Sequence, residues 1–238
     1  MTVRSSCAGL VALATAATTT WWSQGLSYEA YSLHALMLAL TVLLFLRWVD
    51  EESALSESAS RKGLWFALAL GLSFTNHMTT VLLAPAFLFY YVASFGVGLP
   101  ALRRIVSLVP AFLFGLSPYA WLPVRASMEP YFNWGDPATL GAFIRHVTAR
   151  QYRVWMFTNP EAYEQQTRYF FSHLPSELGY VGLFLAVWGV IESAARRRAV
   201  AAVVLVLITM CSFYLITLAE SGGILPYGAA VGVGILAS

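Results

Sequence analysis

Long apolar runs constrain this chain more than any other feature. Five of them, at about 5–21, 29–48, 105–122, 178–195 and 199–218, approach the roughly 20 residues a helix needs to cross about 30 Å of hydrocarbon. A sixth stretch, Gly63 to Phe95, is too long for one upright helix at about 1.5 Å per residue and short for two. Composition agrees: 58% of the 238 residues are hydrophobic and 11% are charged, against about 25% charged in soluble domains. Lipid offers no partner to an unpaired backbone group, so such a chain predicts an all-α polytopic membrane protein. The net charge of +2 is too small and too scattered for a nucleic-acid partner. Cys7 and Cys211 both fall inside apolar stretches, which leaves neither a disulfide framework nor a metal-ligand spacing.

Charge placement decides how 63–95 is threaded. The run is interrupted by "SFTNHMTT", Ser73 to Thr80. If it forms a hairpin there, Arg4, Arg47, Arg61, Lys62, Arg103, Arg104, Arg196, Arg197 and Arg198 share one side, nine of the fourteen basic residues. By the positive-inside tendency that side is cytoplasmic, whereas a single span would set Arg61 and Lys62 opposite Arg103 and Arg104. The hairpin is therefore preferred. It sends "WWSQGLSYEAYS" (21–32), "SFTNHMTT", the long loop 123–177 and "AESGGILPYG" (219–228) to the same extracytoplasmic face. Residues 1–238 read as one transmembrane domain with 123–177 as a helical loop. The start, "CAGLVALATAA", reads as a span running on into Trp21 and Trp22 rather than as a cleaved secretory signal. The last apolar run, "GAAVGVGILAS", stops at about ten residues, as in a fragment cut within its next span.

The polar clusters on that face carry the candidate chemistry. Glu29 opens an apolar helix beside Trp22, Gln24 and Tyr28; it complements the helix dipole or, with a pKa raised near the apolar slab, serves as a general base. Asn76 and His77 occupy the hairpin tip, either capping freed backbone groups or touching a sugar or phosphate. Arg125 follows the helix-ending "SPYAWLP" and either snorkels to headgroups or offers its planar fork to a phosphate. In "NWGDPATLGAFIRHVTARQYR" (133–153), Asn133, Trp134, Gly135 and Asp136 read as a turn, with Asp136 as N-cap and Pro137 at the first helical position. On the helix that follows, His146, Arg150 and Arg153 share one face, with Gln151 and Tyr152 beside them. A solvated basic face and a site for a polyanionic ligand both fit.

Three strings in order, "WSQGLSYEAYSLHALMLAL", "GLSFTNHMTTVLLAPAF" and "LPVRASMEPYFNWGDPATLGAFIRHVTARQYR", resemble the transmembrane protein 260-like family. That family is the protein O-mannosyltransferase group of the GT-C glycosyltransferase superfamily. The resemblance runs over about 20–180 and is most specific in "NWGDP…F…HVT…QYR". It implies a GT-C-like helix bundle, a polyprenyl-phosphate sugar as donor substrate, no identified cofactor or metal, and transfer of a sugar such as mannose to a protein or glycan acceptor. The membrane is the bacterial plasma membrane or, in a eukaryote, the endoplasmic reticulum. Such enzymes hold a catalytic acidic residue in a "GDSGEL"-like string of the first extracytoplasmic loop. This chain lacks that string and begins with what resembles the family's second span.

Inverting transfer needs a base for the acceptor hydroxyl and cationic groups for the departing phosphate. Glu29 and His77 are the titratable groups for the first task, and Arg125, His146 and Arg150 suit the second. Two other classes stay open. A lipid or polysaccharide transporter would place ionisable residues deep within spans, whereas these cluster at span ends. A non-catalytic membrane scaffold would carry the same fold without the chemistry.

Overall fold

A computed structural model describes residues 9–10, 12–14, 16–18, 22, 31–148, 150 and 160–196 of the protein. The chain divides into two compact units. One comprises Met1–Ala35, Leu82–Ala93 and Phe157–Ser238; the other comprises Leu36–Val81 and Ser94–Met156. No strand occurs among the described residues, and the all-α class stands.

The helices follow from strong helix formers interrupted by turn residues. Helix α1, Tyr31–Ser53, is rich in Leu, Ala and Met and ends at the polar "DEES". Leu55, with φ 53°, turns the chain back into α2, Ala59–Asn76. A 3₁₀ segment, Met78–Leu83, then leads into α3, Ala84–Phe95, and Gly96 supplies the left-handed residue after it at φ 68°. Helix α4, Leu99–Gly115, carries Pro at its start and Pro110 within. The path then bends by 44° into the limb Ser117–Ala126, made of a short 3₁₀ turn, Ser117–Ala120, and α5, Trp121–Ala126. Helix α6, Leu140–Val147, is short, and α7, Pro160–Arg196, is broken at Gly179, where φ 65° and ψ 161° are not helical.

Among the described residues, two stretches are long and apolar enough to cross a membrane: Ser32–Ser53 and Met78–Phe95. The bent pair Leu99–Gly115 and Ser117–Ala126 makes a third if it is one span. The 22 residues of the first reach roughly 33 Å at about 1.5 Å each. The run expected at 105–122 thus belongs to a longer, bent element. The run expected at 178–195 corresponds to Leu178–Glu192, an apolar helix shorter than a span, with the break at Gly179 near its start. The run at 199–218, most of 5–21, and both cysteines lie outside the described residues.

The unit built from Leu36–Val81 and Ser94–Met156 has a definite register. Trp48 stacks on Phe66 at 5.5 Å and Phe45 leans on the same ring at 5.2 Å, so α1 and α2 run antiparallel. A Cβ on Gly63 would meet Leu108, and one on Gly71 would meet Gly115, so α2 and α4 run parallel. Gly63, Ala67 and Gly71 recur every four residues and are buried, which lets the helix backbones approach as small residues do in membrane bundles. At one end of this unit Glu51 pairs with Lys62 and with Ser58, while Glu52 accepts from Arg104 Nε at 2.6 Å. The Arg104 guanidinium also lies 5.0 Å from the Phe95 ring centre. Outward, Leu102, Ile105, Val106, Val109 and Leu113 of α4 stay exposed, a surface suited to lipid rather than water.

Candidate functional site

The opposite end of the same unit gathers the polar residues. Helix α2 stops at Asn76 because His77 adopts an extended conformation, φ −153° and ψ 131°, although its N–H still reaches the Ser73 carbonyl at 3.0 Å. Four carbonyls are left without helical partners at such an end. The Thr80 hydroxyl adds to one of them, its single proton shared between Ser73 O at 3.2 Å and the cap carbonyl His77 O at 2.9 Å, and it meets the Ser73 hydroxyl at 2.8 Å. Ser73 and Thr80 are both fully buried, so this knot replaces water that cannot enter. Tyr119, from the 3₁₀ turn after α4, answers another, donating its hydroxyl to Phe74 O at 2.6 Å.

His77 belongs to that end. Its Nδ1 accepts from the Thr79 N–H at 3.3 Å and lies 2.8 Å from the Thr79 hydroxyl. An Nδ1 that accepts leaves the proton of the neutral ring on Nε2. Burial pushes the imidazole below its ordinary pKa, which favours this neutral form. In this arrangement the neutral ring carries its proton on Nε2. Beside it, Asn76 Nδ2 is buried with no hydrogen-bond partner among the described residues.

The loop after α5 is built on a left-handed turn. Gly135 and Asp136 have φ 72° and 37°, and Asn133 Nδ2 donates to Asp136 Oδ1 at 2.8 Å. This corrects the expectation that Asp136 caps the following helix. The N-cap is Thr139, whose hydroxyl accepts from Ala142 N–H at 3.3 Å, and α6 starts at Leu140. Two successive left-handed residues point the chain away from helix, and Pro137 to Thr139 are needed to bring it back. Gly135 is packed against His146: a Cβ there would stand 2.9 Å from His146 Nδ1, which is buried with no hydrogen-bond partner among the described residues. Phe143 of α6 meets the Tyr119 ring edge to face, centroids 6.5 Å apart.

Tyr119 therefore joins the α2 end, the α4 end and α6, and through it Asn76 and His77 share one end of the unit with the Asn133–His146 turn. Sequence reasoning did not single out this tyrosine; its signal was a hydroxyl-bearing aromatic at a proline-rich helix end. Arg125 is exposed, with only Met128 Sδ near at 3.8 Å. Helix α6 ends at Val147, so Arg150 lies beyond it and is exposed, and the expected single helical face shared by His146 and Arg150 is not formed. Arg125 and Arg150 make no ion pair with a described residue. Trp134 and Trp22 are exposed, and Trp22 belongs to the other unit. Gln24, Tyr28, Glu29, Gln151, Tyr152 and Arg153 lie outside the described residues. Among the described residues no three His, Cys, Asp or Glu side chains cluster as a metal ion would require.

Long apolar helices with exposed apolar faces, and polar groups drawn to one end, define the class: an all-α membrane protein. Residues 1–96 match the family model of the protein O-mannosyl-transferase TMEM260 N-terminal domain, which supports the TMEM260-like resemblance over that part of the chain. No curated protein and no solved structure matches the chain. That match supports a glycosyltransferase in general terms.

Proposed function

We propose that the protein is a GT-C-type membrane glycosyltransferase that moves a sugar, mannose by the family's name, from a polyprenyl-phosphate donor to a protein or glycan hydroxyl on the extracytoplasmic side. The observation that carries this reading is the match of residues 1–96 to an O-mannosyl-transferase domain. The geometry supports it at one end of the unit built from Leu36–Val81 and Ser94–Met156. There, arginines that make no ion pair with a described residue stand in the same unit as His77 and the Tyr119-fastened turn.

The departing lipid phosphate needs charge-assisted donors, and Arg125 and Arg150 take that role with a planar fork each. His77 Nε2–H and the Asn76 amide serve sugar or phosphate oxygens, and Trp134 offers a ring face to the sugar. The acceptor proton needs a base; Glu29, which the sequence names for it, lies outside the described residues.

Transfer needs one compartment and transport needs two, which makes the test direct. The intact protein in detergent, given a polyprenyl-phosphate mannose and a Ser/Thr-rich acceptor peptide, is expected to release polyprenyl phosphate together with mannosylated peptide. Sugar uptake by sealed vesicles with no glycosylated product would overturn the proposal.

A further inference from the structure

The segment between α5 and the end of α6 shows more apolar surface than a wet loop should. Tyr131 is fully exposed and Phe132 is 83% exposed, their rings edge to face with centroids 5.9 Å apart. On α6 the inner side holds buried Ala142 and half-buried Phe143 and His146. Its outer side carries Leu140, 75% exposed, and Ile144 one turn on, beside Arg145. Two successive pieces of chain thus turn large apolar side chains outward, the second of them next to a cation.

Position in the chain says what meets that surface. The bent pair of helices ends at Ala126, so Tyr131 follows within a few residues of the point where the path leaves hydrocarbon. Aromatic rings concentrate at that depth, and an amphipathic helix with a basic residue lies in the plane of the headgroups. Arg145 makes no ion pair with a described residue, which leaves it to an anionic headgroup. Glu129 and Asp136, the latter accepting from the neutral Asn133 amide, are the carboxylates of the turn that oppose this attraction.

We infer that this segment rests on the phospholipid surface of the extracytoplasmic leaflet, with Tyr131, Phe132, Leu140 and Ile144 at the headgroup–acyl boundary and Arg145 against lipid phosphate. The inference rests on the bent pair Leu99–Gly115 and Ser117–Ala126 crossing the membrane as one span; it stands whether or not the protein transfers sugar.

The test uses the intact chain with Cys7 and Cys211 changed to serine and a polarity-sensitive fluorophore on Phe132→Cys, held in nanodiscs of phosphatidylcholine with or without phosphatidylglycerol. Lipids brominated near the glycerol are expected to quench it more than lipids brominated at the chain end, and aqueous iodide least. In anionic discs Arg145→Ala is expected to lower the ratio of lipid to iodide quenching about fivefold, the contribution of one cation beside an anionic surface. The same label on Ile144→Cys repeats the measurement at a second position. Dominant iodide quenching overturns the inference, as does protection from both quenchers, which would mean that protein covers the face. A ratio unchanged by Arg145→Ala overturns the role given to that arginine.

Discussion

Gly71 of α2 and Gly115 of α4 touch backbone to backbone. A Cβ on Gly115 would stand 2.5 Å from the Leu68 carbonyl oxygen and 3.0 Å from Gly71 Cα, and one on Gly71 would press closer still on the Phe112 carbonyl oxygen. Backbone cannot swing aside as a side chain can, so either Gly→Ala change must part the helices. Alanine gains about 0.5–1 kcal/mol of helix propensity, whereas overpacking a tight contact costs about 1–3 kcal/mol. Gly71→Ala and Gly115→Ala are each expected to lower the thermal midpoint in detergent by several degrees. Gly189→Ala, where a Cβ meets nothing within 4 Å, is expected to leave it unchanged or raise it.

Parallel packing of α2 and α4 also requires the chain between them to return to the end where Lys62 and Arg104 meet Glu51 and Glu52. This supports the hairpin reading of 63–95. Cysteines replacing the exposed Arg61 and Arg103, in a chain without Cys7 and Cys211, should react with an impermeant maleimide from the cytoplasmic side alone. One replacing exposed Ala138 should react from the other side alone. Labelling of 61 and 103 from opposite sides would break the register described here.

The pH dependence of stability follows from His77. Its folded pKa is depressed below the ordinary 6.5 by burial, so the unfolded chain takes up the proton first as pH falls. The stability this neutral ring contributes is fully present above 6.5 and is lost as pH drops through the folded value. The thermal midpoint should therefore fall below that pH, and His77→Gln should flatten the fall. A midpoint with the same pH profile in both proteins would show that His77 is not held neutral.

Helix α6 separates cap from turn. Thr139→Ala removes the hydroxyl that receives Ala142 N–H and should cost about 0.5–2 kcal/mol, read as faster amide exchange across 140–147. Asp136→Asn keeps an acceptor and tolerates the left-handed backbone, and should leave that exchange unchanged. Gly135→Ala meets both a positive φ and the His146 ring, and should disturb α6 more than either.

The sequence made some of this legible and hid the rest for identifiable reasons. The apolar run at 29–48 announced α1, because a stretch of that length allows little else, and "SFTNHMTT" announced the break that falls at His77. The Asn-Gly-Asp-Pro string looked like a cap because each residue type favours one; two left-handed residues in succession moved the cap to Thr139. The polar start of α7 passed for loop because it lacks apolar periodicity, yet Glu164 and Arg168, four apart and bonded at 2.6 Å, were a helix signal. Close approach of Gly71 and Gly115, and the reach of Tyr119 to Phe74 O, are tertiary facts that depend on which helices pack together. Of the site, Asn76 and His77 were found by their polarity within an apolar run. The separation of Arg150 from the α6 face was not, since it depends on where the helix ends.

The central claim is that the polar end of this protein handles a lipid-linked sugar phosphate, and turnover of arginine variants in the detergent assay tests it most directly. Arg125→Ala and Arg150→Ala are expected to melt like the unaltered protein, since both side chains are exposed. Each should release polyprenyl phosphate at least about tenfold more slowly, on the scale of about 1.5–3 kcal/mol per charge-assisted bond, with lysine restoring only part of the rate. Release at the unaltered rate by both alanine variants, or no release by the unaltered protein, would contradict the account.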